Sequence, residues 1–298
     1  MRILITGSGG MLGGDLVPLL ATRHEVRACG HAGCDIADQV AVSRTFAEFS
    51  PQLVINCAAM ADVDGCEREP QRAFAVNARG AGNVARAAES VGARVFHVST
   101  DYVFDGTKRT PYTEDDPVNP LSVYAHSKLE GERMVLYSAS VLSPHLILRT
   151  SWLYGRHRTN FVDRTVANAK AGKPIVAVTE QVSCPTWTVH LAQRIVDLVE
   201  KQASGILHLA GSGYCSRYET AGYIVSQLDP PGPGAKSLPK PAEIVATSWE
   251  KINPPARRPV FTALTSTRFA ELGIAPLPDW RSALSAYLSQ HHSSLRSS

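Results

Sequence analysis

Arg2-Ile3-Leu4-Ile5-Thr6-Gly7-Ser8-Gly9-Gly10-Met11-Leu12-Gly13 stands at the start of the chain, and the order of its side chains commits the polypeptide to one architecture. The apolar run through Ile3, Leu4 and Ile5 predicts a short buried strand, and Leu16, Leu19 and Leu20 then recur at helical spacing. Between strand and helix, Gly7, Gly10 and Gly13 are spaced Gly-x-x-Gly-x-x-Gly, one residue wider in the first interval than the commoner fingerprint. Strand, glycine turn and helix in that order form a dinucleotide-binding arrangement. The first glycine permits the tight turn, the second lets a diphosphate approach the backbone, and the third lets helix pack on strand. The helix start then offers free N–H groups and a partial positive charge to phosphates.

Working outward, Glu25-Val26-Arg27-Ala28 predicts a second strand that ends near His31. The acidic residue that holds the adenosine ribose in strict NAD enzymes is missing here, and Arg27 and His31 suit a 2′-phosphate. NADPH is therefore expected, with NADH left open. Asp35-Ile36 would meet the adenine ring, or Asp35 would cap a helix starting near Asp38. Leu53 to Ala59 reads as an apolar strand, with Cys57 as a small core residue and Ala58 and Ala59 leaving room for a cofactor. Asp62, Asp64 and Glu67 read as solvated loop acids, so no metal is expected. Pro70 to Val91 reads as one helix containing Asn77, Gly80 and Gly82. Glycine inside a helix costs about 1 kcal/mol relative to alanine, which close packing should offset. The recurring strand–helix alternation predicts an α/β, Rossmann-type doubly wound parallel sheet with right-handed crossovers.

The strand Val95-Phe96-His97-Val98 runs into Ser99-Thr100-Asp101-Tyr102-Val103-Phe104, hydroxyls and a carboxylate beyond a strand end. After a proline-rich loop, Tyr124 and Lys128 stand four apart, so on a helix both point to one side. A cation beside a phenol favours the phenolate, which makes the pair a proton donor to an alkoxide forming on a carbonyl, unless both are ordinary surface residues. His145 to Arg149 predicts a further strand ending in Thr150-Ser151-Trp152, suited to a nicotinamide and a sugar ring. Beyond it the alternation weakens. Helices are expected over Asn160–Gly172 and Val189–Lys201, strands over Ile175–Val178 and Gly205–Leu209, and a turn at Ser183–Trp187. The proline-richer remainder predicts a smaller C-terminal α/β substrate lobe. Residues 1–150 with roughly 185–211 would form the dinucleotide unit, and 151–184 with 212–298 the lobe. Arg257 and Arg258, between Pro255 and Pro259, suit a diphosphate or form a solvated basic turn.

At 298 residues the chain suits one large domain or two smaller ones, and its formal net charge of +3 is too small for a nucleic-acid surface. Its six cysteines show no CxxC pair or zinc-type spacing, which predicts reduced thiols in a cytoplasmic protein. The chain starts at a strand without a signal-type apolar run, and no stretch is long and apolar enough to span a membrane. Asp229 to Ala235, rich in proline and glycine, is expected to be an exposed loop.

The glycine turn, Ser99-Thr100-Asp101-Tyr102-Val103-Phe104 and Tyr124-x-x-x-Lys128 together resemble the extended short-chain dehydrogenase/reductases. Arg149-Thr150-Ser151-Trp152, Pro185-Thr186 and Ala256-Arg257-Arg258-Pro259 narrow the resemblance to the dTDP-4-dehydrorhamnose reductase family. That resemblance implies NAD(P)H-dependent reduction of a dTDP-linked 4-keto-6-deoxysugar by Thr100, Tyr124 and Lys128, in a monomer or homodimer. It implies cofactor contacts from Gly7, Gly10, Met11, Leu12, Gly13, Asp35, Ile36, Cys57, Ala58, Ala59, Asn77, Ser99 and Thr150, besides Tyr124 and Lys128. Substrate contacts would come from Val63, Thr100, Asp101, Tyr102, Trp152 and Arg258. An epimerase or dehydratase on the same scaffold remains open, as does a regulatory subunit resembling the methionine adenosyltransferase β-subunit.

Overall fold

A computed structural model describes residues 1–140, 144–201, 203–228, 238 and 241–292. The first half alternates as expected: β1 (Arg2–Thr6), α1 (Met11–Ala21), β2 (Glu25–Cys29), α2 (Gln39–Phe49) and β3 (Leu53–Asn56). After these come α3 (Val63–Arg68), α4 (Pro70–Phe74), a π-helical turn (Ala75–Gly80), α5 (Ala81–Ser90), β4 (Arg94–Thr100), α6 (Val123–Tyr137) and β5 (Leu146–Thr150). The second half holds β6 (Leu153–Tyr154), α7 (Phe161–Lys170), β7 (Ile175–Val178), β8 (Val182–Ser183), β9 (Thr186–Trp187), α8 (Thr188–Val199) and β10 (Gly205–His208). It ends with β11 (Cys215–Ser216), α9 (Arg217–Leu228), β12 (Ile244–Thr247), α10 (Trp249–Ile252), α11 (Phe269–Leu272) and α12 (Trp280–His291).

Six parallel strands form the main sheet in the order β10-β5-β4-β3-β1-β2. Leu4, for example, lies opposite Arg27 on one side and Val54 on the other. The inner strands read as continuous apolar runs because helices cover both faces. On one face Leu12, Leu16 and Leu20 of α1 meet Leu191, Ile195 and Leu198 of α8. On the other, Val42 and Phe46 of α2 pack with Val84 and Ala88 of α5 and Val135 of α6. The chain leaves β1 for β2 and returns to β3 on the opposite side of β1, so a crevice opens at this switch point beyond the strands' carboxyl ends.

Five local expectations need correction. The segment Pro70 to Val91 is not one helix, because a wider π turn interrupts it at Ala75–Gly80. There the Asn77 carbonyl presses on α6, where a Cβ at Gly131 would sit only 2.2 Å from it. The glycines do mark close packing, since a Cβ at Gly80 would lie 2.8 Å from Ile36 Cγ1. The acidic loop is instead helix α3, and Ser183–Trp187 contributes to the short strands β8 and β9, too short for alternation to be read. Cys57 lies one residue past β3 rather than within the strand, where it packs against the core and also lines the crevice. Asp38, not Asp35, caps α2, accepting the Val40 and Ala41 N–H groups.

The smaller lobe centres on the parallel pair β7–β12, with Val162 and Val166 of α7, Ile224 of α9 and Leu284 of α12 packed around it. A second cluster, Phe104, Tyr112, Phe261 and Leu264, joins the lobe to the segment after β4. The Asp229–Ala235 stretch lies outside the described residues. Among those described, no helix is long and apolar enough to cross a membrane.

Candidate active site

The crevice encloses about 930 Å³, and most of the residues singled out in the sequence line it. At one end lies the glycine turn. Gly7 adopts φ +68°, and a Cβ there would stand 2.6 Å from the Ala58 amide nitrogen. A Cβ at Gly13 would stand 2.5 Å from Gly7 O and 2.8 Å from Ser8 Cα. Both obstacles are backbone, so neither glycine tolerates a side chain without moving the turn. Gly13→Ala is expected to lower stability by about 1–3 kcal/mol and to weaken dinucleotide binding, read by denaturant titration and by NADPH fluorescence. An unchanged affinity would mean that the turn does not hold the phosphates.

Helix α1 begins after Gly10, which supplies no side-chain cap, so its first N–H groups are left for an anion. Met11 and Leu12 complete this wall, and Asp35 and Ile36 line the side beyond β2. Asp35 accepts the Ala37 N–H at 2.9 Å within a turn. Ala58 and Ala59 line the crevice beside the glycines. Arg27 does not reach it. Its guanidinium lies 3.5 Å from Glu48 and over the Phe49 ring, because alternation along β2 turns it toward α2. His31 does line the crevice.

A buried polar chain crosses the floor beneath the strand ends. Thr6 Oγ1 donates to Asn56 Oδ1 at 2.6 Å, and the same oxygen accepts the Ala58 N–H at 3.2 Å. With that oxygen fixed as the acceptor, Asn56 Nδ2 donates to His97 Nδ1 at 3.0 Å. The neutral imidazole then carries its proton on Nε2, which lies 3.4 Å from Lys128 Nζ. Lys128 donates to the Val98 carbonyl at 2.6 Å and is 2% exposed. Burial lowers its pKa to about 8, against the opposing charge of Glu132. Burial, with the Lys128 charge added, holds His97 well below the ordinary histidine value. Asn56 and His97 were missed in the sequence, although polar residues at the end of or within apolar strands were a readable signal.

Tyr124 enters from the first turn of α6, whose N-cap Ser122 accepts the Ala125 N–H at 3.3 Å. Tyr124 and Lys128 both line the crevice. The expected lowering of the phenol by the ammonium does not hold in the free protein. Burial dominates and pushes Tyr124 upward, with Thr100 beside it acting in the opposite direction. Thr100 donates to Asp101 Oδ1 at 3.1 Å and accepts the Tyr102 N–H at 3.2 Å. Asp101 also accepts from Ser183 at 2.8 Å and Thr262 at 2.5 Å, and burial raises its carboxyl to about 6 in spite of these bonds. Tyr102 meets Tyr124 edge to face at 6.0 Å.

Thr150, Trp152 and Val63 close the crevice. Thr150 Oγ1 is buried without a partner, an orphan that a bound polar group would satisfy. Trp152 holds φ +40°, an uncommon conformation for a bulky residue. Two expected contacts lie elsewhere. Asn77 is behind the wall, bonding Met60 N at 2.8 Å, Met60 O at 3.0 Å and Ser127 Oγ at 3.0 Å, so it pins the turn after β3. Arg258 is held by both oxygens of Asp64, at 2.7 and 2.8 Å, and draws that carboxyl below its usual range. Ser99 lines the crevice, but its hydroxyl turns away to Glu132 at 2.5 Å. Three crevice arginines went unread: Arg72, Arg158 and Arg217. No local pattern distinguishes them from surface cations, because contacts between distant segments bring them here.

The family described as the RmlD substrate binding domain matches residues 1–293. The dTDP-4-dehydrorhamnose reductase of Mycolicibacterium smegmatis is 39% identical over 287 residues, covering 95% of this chain and 84% of the relative. The spore coat polysaccharide biosynthesis protein SpsK of Bacillus subtilis is 35% identical over 293 residues, 98% of each chain. The crystal structure of dTDP-4-dehydrorhamnose reductase from Bacillus anthracis in complex with NADP superposes with a TM-score of 0.89 at 30% identity, covering 97% of this chain and 99% of that one.

Proposed function

The chain belongs to the RmlD substrate binding domain family, and from that membership we propose that it reduces the C4 ketone of dTDP-4-dehydro-L-rhamnose to dTDP-L-rhamnose, with NADPH preferred and NADH admitted. The observation that carries this reading is the meeting of Thr100, Tyr124 and Lys128 in one crevice whose other end is the glycine turn. The uncapped α1 start, the space beside Ala58 and the unpartnered Thr150 hydroxyl fit a dinucleotide. When bound, that cofactor supplies a hydride to the carbonyl carbon.

The chain's own groups handle the oxygen. Burial keeps Tyr124 protonated until negative charge develops beside it, which is the state a proton donor needs. Thr100 offers a second hydrogen bond once its O–H rotates away from Asp101. Lys128 holds the nicotinamide ribose, and its charge offsets the phenolate left when Tyr124 gives up its proton. Residues 1–150 with roughly 185–211 bind the cofactor in this reading, and the remainder forms the substrate lobe.

The test is product analysis after incubation with dTDP-4-dehydro-L-rhamnose, run in parallel with NADPH and NADH. Protein that binds NADPH and leaves the ketone unreduced would defeat the reading. A pH dependence follows from Lys128, whose depressed pKa leaves it charged below about 8 and neutral above. Because the charged form is the useful one, kcat/KM should fall as pH rises through about 8. Lys128→Arg stays charged across that range, so any activity it retains should lack this basic limb.

A further inference from the structure

We infer that Arg217 binds the diphosphate of the sugar-nucleotide substrate, making it a specificity-determining residue at the end of the crevice opposite the cofactor phosphates. The inference rests on the proposed function, which places the substrate ketone at Tyr124. Arg217 lines the crevice, and among the described residues no carboxylate lies within ion-pair distance of it. Of the other arginines at or near the crevice, Arg149 is neutralised by Glu132, Arg258 by Asp64 and Arg72 by Glu69, while Arg158 is exposed to solvent. Asp101 lies near Arg217, yet its oxygens are occupied by the hydroxyls of Thr100, Ser183 and Thr262.

The guanidinium is held in place rather than free to sweep. Its carbon lies 3.6 Å from the Trp152 ring centroid and 4.8 Å from that of Phe161. Stacking on aromatic faces fixes the plane of the group and leaves its edge N–H donors for an acceptor. Its backbone is fixed as well. Ser216 Oγ accepts the Glu219 N–H at 3.0 Å, and Glu219 accepts the Ser216 N–H at 2.7 Å, a reciprocal capping box around the first turn of α9. Strand β11, just before it, pairs with β8, whose Ser183 holds Asp101. Burial lowers the Arg217 pKa to about 10, so it remains charged at neutral pH. A charge partly withdrawn from water in this way is stabilised by an anionic partner, and none is built in among the described residues.

Position selects which anion it meets. The cofactor phosphates belong to the turn after β1, whereas Trp152 follows β5, three strands away in the order β5-β4-β3-β1. At about 4.8 Å per strand that separation is roughly 14 Å. The catalytic residues after β4 lie between the two ends. A substrate reaching past Tyr124 toward Trp152 therefore presents its own diphosphate to Arg217. A planar bidentate donor set is the match for such a group.

The experiment compares dTDP with dTMP by calorimetry on the wild-type protein and on Arg217→Gln and Arg217→Lys. NADPH affinity and thermal midpoint are measured on the same samples. The wild type should bind dTDP at least tenfold more tightly than dTMP. Arg217→Gln should weaken dTDP binding by roughly 10- to 150-fold, the loss typical of hydrogen bonds to a charged group, and should erase the preference over dTMP. Arg217→Lys should recover part of it, and NADPH affinity should stay within about twofold. A wild type with no dTDP-over-dTMP preference overturns the inference without any variant. So does a glutamine variant that binds dTDP normally, or one whose losses in dTDP and NADPH affinity are equal. If the wild type binds neither nucleotide and reduces no sugar nucleotide, the proposed function fails and takes the inference with it. Ketone reduction with no dTDP preference would sink the inference alone.

Discussion

Tyr124→Phe should lower kcat for ketone reduction by about 10²- to 10⁴-fold, the range for removing a positioned general acid. The substitution deletes one oxygen and keeps the ring, so the edge-to-face contact with Tyr102 survives. Folding and cofactor binding should therefore be nearly unaffected, with NADPH affinity unchanged within about twofold. The loss should fall on kcat more than on KM, since the proton is needed only as charge develops on the carbonyl oxygen. The raised pKa of Tyr124 sharpens this expectation. A phenol that burial keeps protonated in the free protein is present as a donor throughout the neutral range. Steady-state kinetics with dTDP-4-dehydro-L-rhamnose decides the matter, and a variant with near-normal kcat would remove Tyr124 from the chemistry.

Glu132→Ala should destabilise the fold by about 3–5 kcal/mol, the cost of leaving a buried charge unpaired. Glu132 lies one helical turn beyond Lys128 on α6 and is 1% exposed. Its carboxylate takes Arg149 Nη2 at 2.7 Å and Nε at 3.0 Å, together with the Ser99 hydroxyl. Those contacts tie α6, which carries Tyr124 and Lys128, to β4 and β5, immediately below Thr100 and Thr150. Arg149 itself is 3% exposed, stacks over Phe104 and approaches His208 at 3.5 Å, so it has no path to water once Glu132 is gone. Chemical denaturation should show the lost stability. The double variant Glu132→Leu with Arg149→Met should recover much of it, because no charge is then stranded. A single variant as stable as the wild type would show that the pair is not structurally important. Glu132 also raises the Lys128 pKa, so milder variants such as Glu132→Gln should move the basic limb of kcat/KM to lower pH.

Much of this architecture was written locally. A strand, three glycines and a helix are specified by neighbours within a dozen residues, and the backbone reasons for Gly7 and Gly13 are visible as the 2.6 and 2.5 Å approaches. Apolar runs marked the inner strands of the main sheet because burial on both faces leaves no polar alternation. Tyr124 and Lys128 were readable as a pair because a helix places residues four apart on one side. The π turn at Ala75–Gly80, by contrast, packs its Asn77 carbonyl against α6 at Gly131, a long-range contact that no local propensity encodes.

Chain order and side-chain type were enough to establish the doubly wound sheet and the glycine turn and to pair Tyr124 with Lys128, since each depends on short-range geometry. Electrostatic roles were settled by folding. Burial set the pKa directions of Tyr124 and Lys128, and Asp64 captured Arg258 across 194 residues of sequence. The same folding left Arg217 stacked on Trp152 and facing the crevice. A charge's energy depends on how much water remains around it and on which partner reaches it, and both are properties of the packed molecule.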